Sequence, residues 1–161
     1  MRIGVCPGSF DPVTNGHVDI IERSSRMVDK LIVAVSVNHG KNSTFTMEER
    51  LDMLRQATAH IPNVEVEICT GLLNNFVKEH GGQIVFRGLR AVGDFEYEFQ
   101  RAAYAKYLDE YLETVFIMTS NKYMFVSSSG IRELARFGGK MDGLVPDYVK
   151  EKLIAKFGQS K

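Results

Sequence analysis

Four short segments of this 161-residue chain concentrate side chains suited to phosphate. The first is Pro7-Gly8-Ser9-Phe10-Asp11-Pro12-Val13-Thr14-Asn15-Gly16-His17. Its prolines and glycines make a stiff turn along which backbone can approach a ligand closely. His17 opens the helical stretch that follows, where free N–H groups and the positive end of the helix dipole favour an anion. It lies four residues before Ile21, so it projects over the sheet edge and can donate to a phosphate oxygen, or else cap and pack at the helix start. The second segment, Asn38-His39-Gly40-Lys41, supplies a lysine. In the third, Arg87-Gly88-Leu89-Arg90, Arg87 closes an apolar run, a costly place for a cation unless an anion meets it. Guanidinium forks bind phosphate bidentately, and Asp94, Glu96 and Glu98 are the competing local partners. The fourth is Tyr123-Met124-Phe125-Val126-Ser127-Ser128-Ser129-Gly130-Ile131-Arg132. Three serines at a helix start offer hydroxyls and free N–H groups to a phosphate tail, whereas ordinary capping needs one. Arg132 falls in the first turn, where a cation opposes the dipole and a docked anion would offset the misfit.

The elements that position these groups alternate. Ile3–Cys6 is a short strand, Gly16–Val28 has helical period, and Leu31–Val37 is apolar enough for a strand buried on both faces. Thr46 begins a helix with Glu49 in a capping box. Val64–Ile68 alternates as a strand, and Leu72–His80 is a short helix stopped by Gly81-Gly82. Gln83–Arg87 is the fourth strand and 88–93 a loop. Asp94 is placed to cap a long helix from Phe95 to about Tyr111. Thr114–Met118 is the fifth strand, followed by helices from about Gly130 and from Pro146-Asp147. This order implies an α/β fold with a doubly wound, mostly parallel five-stranded sheet, as one domain over 1–161. In such sheets ligands bind beyond the carboxyl ends of the strands, which is where all four segments lie.

Composition narrows the class. Hydrophobic residues make up 44% and charged residues 25%, as in a soluble globular chain. Twenty basic residues balance twenty acidic ones, so the basic excess of a nucleic-acid binder is missing. No apolar run approaches a membrane span, and the N-terminus reads straight into a strand, so a cytoplasmic location is expected, with no membrane partner. Cys6 and Cys69 have no metal-ligand spacing and read as buried, reduced thiols. No Walker sequence, G-x-G-x-x-G, catalytic triad or cluster of metal-binding carboxylates is present. Convergent cationic and hydroxyl groups without those features fit phosphoryl or nucleotidyl transfer, where positioning and charge neutralisation do most of the work.

Pro7–Pro12, Thr14-Asn15-Gly16-His17, the run Arg87–Glu98 and Ser127–Ser129 together resemble the phosphopantetheine adenylyltransferases of bacterial coenzyme A synthesis, and the likeness spans essentially the whole chain. Thr-x-Gly-His marks the wider nucleotidyltransferase superfamily, with its Rossmann-like fold, and the Arg87–Glu98 run is specific to this family. The resemblance implies transfer of AMP from ATP to 4′-phosphopantetheine, giving 3′-dephospho-coenzyme A and pyrophosphate. It puts His17, Lys41 and Arg90 in the reaction itself. It implies an ATP site of Ser9, Phe10, His17, Gly88, Leu89, Arg90, Glu98 and Tyr123, Met124, Phe125, Val126, Ser127, Ser128 and Ser129. Ser9 stands where the family usually has Thr, and keeps the hydroxyl. Ser9, Lys41, Leu73 and Arg87 would hold the acceptor, with Arg87 and Lys41 on its phosphate. Arg132 matches the basic residue after the serine turn. The resemblance further implies Mg²⁺ carried mainly by ATP, no protein metal ligand, inhibition by coenzyme A, and a homohexamer, for which Phe99, Ala103 and Tyr107 serve either an interface or the core. Competing readings are transfer to nicotinate mononucleotide or phosphocholine on the same fold, a non-catalytic nucleotide sensor, and a flavodoxin-like carrier.

Overall fold

The computed structural model describes residues 1–37 and 42–158. The segment Asn38–Lys41, with its lysine, lies outside the described residues. The described residues form five strands: β1 (Ile3–Gly8), β2 (Lys30–Ser36), β3 (Val64–Cys69), β4 (Ile84–Leu89) and β5 (Glu113–Met118). Every pairing between them is parallel, in the order β3-β2-β1-β4-β5. Helices α1 (Asn15–Ser25), α2 (Met47–Thr58), α3 (Leu73–Glu79), α4 (Val92–Leu108), α5 (Ser128–Arg136) and α6 (Asp147–Phe157) make the connections, with one 3₁₀ turn at Asn121–Tyr123. The doubly wound α/β expectation is met.

Both faces of the sheet are covered, unequally. On one face Leu31, Val33, Val35, Cys6 and Phe86 pack against Ile20, Ile21, Leu54, Ile131 and Leu153 from α1, α2, α5 and α6. On the other, Val5, Ile32, Ala34 and Val85 meet Phe76 and Val77 of α3. Each fully buried aliphatic or aromatic side chain contributes about 1.5–3 kcal/mol, so the first face carries most of the core. β2 is apolar on both sides because it faces both layers. Helix α4 has no buried residue at all. Phe99 and Tyr107 are 58% and 86% exposed, and Ala103 is exposed too, so packing in this chain's own core does not explain them.

Thr46 and Glu49 form the expected capping box at α2. The start of α4 departs from expectation. It begins at Val92 behind Ala91, so Asp94 sits inside the first turn rather than at the cap. From there its carboxylate accepts from the backbone N–H and Nε of Arg90, satisfying an amide upstream of the helix. Gly88 and Leu89, expected in a loop, extend β4.

The sheet is continuous except at its centre. β1 pairs with β2 along its whole length, as β4 does with β5. Between β1 and β4 the register holds only at Gly4–Ile84 and Val5–Val85. Beyond those pairs the two strands part. The chain winds outward from β1 through β2 to β3, then crosses to β4 and β5, so the parting lies at the topological switch point.

Candidate active site

Two cavities open at the parting, one on each face of the sheet. The first, of about 230 Å³, is lined by Gly8, Phe10, Thr14, His17, Arg90, Val126, Ser127 and Ser128 among others. The second, of about 600 Å³, takes Ser9, Ser36, Leu73, Asn74, Tyr97, Arg101 and Tyr104. Pro7, Gly8, Arg87 and Glu98 line both. The carboxyl end of β1 and one ion pair are thus the partition between them.

That ion pair is bidentate. Arg87 Nε and Nη2 donate to Glu98 at 2.6 and 2.7 Å, with both side chains largely shielded from solvent. Arg87 Nη1 also reaches the Pro7 carbonyl at 3.3 Å, across the gap where strand hydrogen bonds have ceased. The Arg87 pKa is raised: burial works against the charge, and the hydrogen bonds and charge of Glu98 more than offset it. Cys6 lies nearby, and burial pushes its thiol up to about 12, so it is not a nucleophile.

His17 is fixed by the helix it begins. Thr14 caps α1, accepting from the His17 amide at 3.3 Å, while His17 Nδ1 accepts from the Thr14 amide at 3.0 Å. Nδ1 is therefore the unprotonated nitrogen, and Nε2–H is the remaining donor. Burial, and then the charge of Arg90, lower its pKa to about 4. The imidazole is neutral at physiological pH. It offers a fixed dipolar donor rather than a positive charge. Phe10 packs edge-on against the ring, with centroids 5.1 Å apart.

The serine turn divides its work. Ser127 caps α5 by accepting from Gly130 N at 3.0 Å, and Ser129 lies 3.2 Å from its hydroxyl. Ser128 donates to the Pro12 carbonyl at 2.7 Å. Because α5 begins at Ser128 rather than near Gly130, Arg132 is its fifth residue and lies past the first turn, where it donates to the Asp11 carbonyl at 2.7 Å. Asp11 in turn accepts from Thr44 N and Phe45 N. The turn after β1 is thereby held from α5 and from the segment before α2.

Of the residues expected around ATP, the first cavity gathers Phe10, His17, Gly88, Arg90, Glu98, Val126, Ser127 and Ser128. Leu89, Tyr123, Met124, Phe125 and Ser129 do not line it, and Phe125 borders a separate apolar groove beside α5. Ser9 faces the second cavity with Leu73 and Arg87. Lys41 lies outside the described residues. Gly88 serves packing, since a Cβ there would stand 3.0 Å from Ile20 of α1. Both arginines of the third segment are engaged by local carboxylates, Arg87 by Glu98 and Arg90 by Asp94. Sequence reasoning missed Asp11 as a brace, Thr119 in the first cavity and Arg101 with Tyr97 in the second. Among the described residues, no three His, Cys, Asp or Glu side chains cluster as metal ligands.

Known proteins resemble this chain along nearly its whole length. Residues 5–134 match the cytidylyltransferase-like family. The chain is 52% identical over 157 residues to the phosphopantetheine adenylyltransferase of Carboxydothermus hydrogenoformans, covering 98% of this chain and 97% of the relative. It is 54% identical over 153 residues to that of Dictyoglomus turgidum, covering 95% and 96%. It is 49% identical over 160 residues to that of Caldanaerobacter subterraneus, covering 99% and 100%. In fold it resembles a Vibrio parahaemolyticus protein assigned as a nicotinate-nucleotide adenylyltransferase, with a TM-score of 0.74 at 17% identity over 99% of this chain and 98% of that one.

Proposed function

The chain belongs to the phosphopantetheine adenylyltransferase family, and from that premise we propose that it is a single nucleotidyltransferase domain that moves AMP from ATP to 4′-phosphopantetheine. The products are 3′-dephospho-coenzyme A and pyrophosphate. The observation that carries the reading is the pair of cavities on opposite faces of the sheet, sharing Pro7, Gly8, Arg87 and Glu98 at the parting of β1 and β4. A reaction between two anionic substrates needs two pockets that meet at one point.

ATP takes the cavity of Phe10, His17, Gly88, Arg90 and Ser127–Ser128, and the more flexible acceptor takes the larger cavity beside Ser9 and Leu73. An oxygen of the acceptor phosphate attacks the α-phosphorus. A new P–O bond forms, the bond to the β-phosphate oxygen breaks, and pyrophosphate leaves with its electron pair. The nucleophile is already an anion, so no general base is required. His17 Nε2–H donates to the transferring phosphate, and Arg90, Arg87 and Lys41 balance charge. Arg87 exchanges part of its contact with Glu98 for the acceptor phosphate. Mg²⁺ enters as part of the ATP substrate: Glu98, the one carboxylate among the described residues that lines the two cavities, is already held by Arg87.

The exposed aromatic face of α4 supports assembly into a homohexamer. Coenzyme A carries the acceptor's pantetheine arm, which supports inhibition through the larger cavity. Among the described residues no helix is long and apolar enough to cross a membrane, and both cysteines are free, in keeping with a cytoplasmic enzyme. The test is pyrophosphate release from ATP and Mg²⁺ with 4′-phosphopantetheine, nicotinate mononucleotide or phosphocholine as acceptor. Release is expected with the first alone, and release with either of the others in its place refutes the assignment.

A further inference from the structure

Arg50 lies in the apolar stripe of α2, in line with Leu54 and Ala57, and is only 5% exposed. Among the described residues no carboxylate pairs with it, and its Nε is buried with no hydrogen-bond partner. A buried arginine without a carboxylate partner is unfavourable on two counts: desolvation and the orphaned donor. Local violations of this kind gather where function requires them.

What Arg50 does hold is specific. Its Nη1 donates to the Ser9 carbonyl at 2.9 Å, and the Ser36 carbonyl lies at 3.5 Å. These are the residues that follow β1 and end β2, and both line the second cavity. Ser9 also precedes Phe10, whose φ of +48° is the one positive φ at a non-glycine residue among those described. A bulky residue held in that region needs its neighbours fixed from outside.

We propose that Arg50 is a positioning residue for adenylyl transfer, acting through the Ser9 and Ser36 carbonyls to set the acceptor side of the site. The inference rests on the function proposed above. Arg50 lines neither cavity; it ties the Ser9–Phe10 turn to the end of β2, so that Ser9 and Ser36 keep one spacing.

Arg50→Met removes charge and donor at similar length, and Arg50→Lys keeps the charge while changing the donor geometry. For Arg50→Met, kcat is expected to fall about a hundredfold, as for a misplacement on the order of an ångström. The KM for 4′-phosphopantetheine should rise about tenfold, with ATP affinity by calorimetry within about threefold of wild type. Arg50→Lys should recover part of the lost kcat. A merely structural residue predicts instead equal losses for both substrates, tracking the unfolded fraction seen by circular dichroism, and that result overturns the proposal, as does a kcat for Arg50→Lys and Arg50→Met within about threefold of wild type. If wild type releases no pyrophosphate, the adenylyl-transfer reading falls separately. Arg50 is then judged by a crystal structure of Arg50→Lys: a displaced Ser9–Asp11 turn sustains the role, and an unmoved turn ends it.

Discussion

The two cavities are built by different means. The one on the α1 and α5 face is walled by backbone that side chains have already locked: Thr14 with His17, Ser127 with Gly130, Ser128 with Pro12 and Arg132 with Asp11. The one on the α3 and α4 face is walled by helix sides, and no residue of α4 is fully buried. Preorganised donors suit a polyphosphate, whose charge must be met at fixed points. An open wall of Tyr97, Arg101 and Tyr104 suits a more flexible ligand. The difference teaches that the reacting end of the site is rigid within one chain, while its acceptor side takes less support from the core.

The largest effect expected from breaking this contrast is at the rigid cavity. His17→Ala should lower turnover about a thousandfold, the scale for an oxyanion donor, while ATP binding changes little. Steady-state kinetics beside calorimetry decide it, and equal losses in rate and affinity would refute a role specific to the transition state. Because the folded pKa lies near 4, turnover should show no loss from His17 protonation above about pH 5. For stability the sign runs the same way: the unfolded chain binds this proton more readily, so the neutral ring favours folding above its ordinary pKa and that contribution is lost as pH falls toward 4.

Next is the partition. Glu98→Gln leaves Arg87 with half its fork unmatched in a shielded site. Breaking such a pair costs about 3–5 kcal/mol when fully buried, and about 2–3 here because some solvent reaches it. The melting temperature should fall by roughly 5–10 °C. The double variant Glu98→Gln with Arg87→Met should regain part of that loss, since the uncompensated charge is gone; a double variant less stable than Glu98→Gln argues against the pairing. Thr14→Val, which breaks the cap beneath His17, should cost about 1 kcal/mol in chemical denaturation. It should reduce turnover more than stability, because Nδ1 and the ring orientation depend on that turn.

How much of this was legible beforehand divides along the same line. Local signals were read well: the apolar run of β2, the Thr46–Glu49 box and the serine cap all follow from nearest neighbours in sequence. The start of α4 was misplaced because Asp94, a good capping residue, reaches back to Arg90 from within the helix while Ala91 begins it without a side-chain cap. Long-range facts were out of reach. Whether Arg87 meets a carboxylate or a phosphate was left open, and the pairing with Glu98 depends on how α4 lies over β4. The neutrality of His17 depends on burial. The parting of β1 from β4 was not foreseen, although Pro7, Gly8 and Arg87 stand where the strands separate. Arg50 left one trace, a charge on the apolar stripe of α2.

The smallest predicted effect probes the open side. His80, just past α3, has Nδ1 2.8 Å from the Phe76 carbonyl and Nε2 2.7 Å from Glu67 on β3, and its ring lies against Phe76. Both nitrogens face acceptors, an arrangement that only the doubly protonated ring satisfies fully. The Phe76 carbonyl, the Glu67 hydrogen bond and charge, and the charge of Glu79 raise the pKa, with burial opposing. A raised folded pKa gives stability that is fully present below the ordinary histidine value and is lost as pH rises through the folded one. Solvent reaches both partners, so the contribution should stay below about 1 kcal/mol. Urea denaturation of wild type and His80→Gln at pH 5.5 and 8.5 isolates it, because the opposite pH dependence of His17 is common to both proteins and cancels. Wild type should hold its advantage at the lower pH and lose it at the higher. A gap that widens toward alkaline pH means α3 is not clamped by a charged His80, and the wall carrying Leu73 must then be held by the packing of Phe76 and Val77 alone.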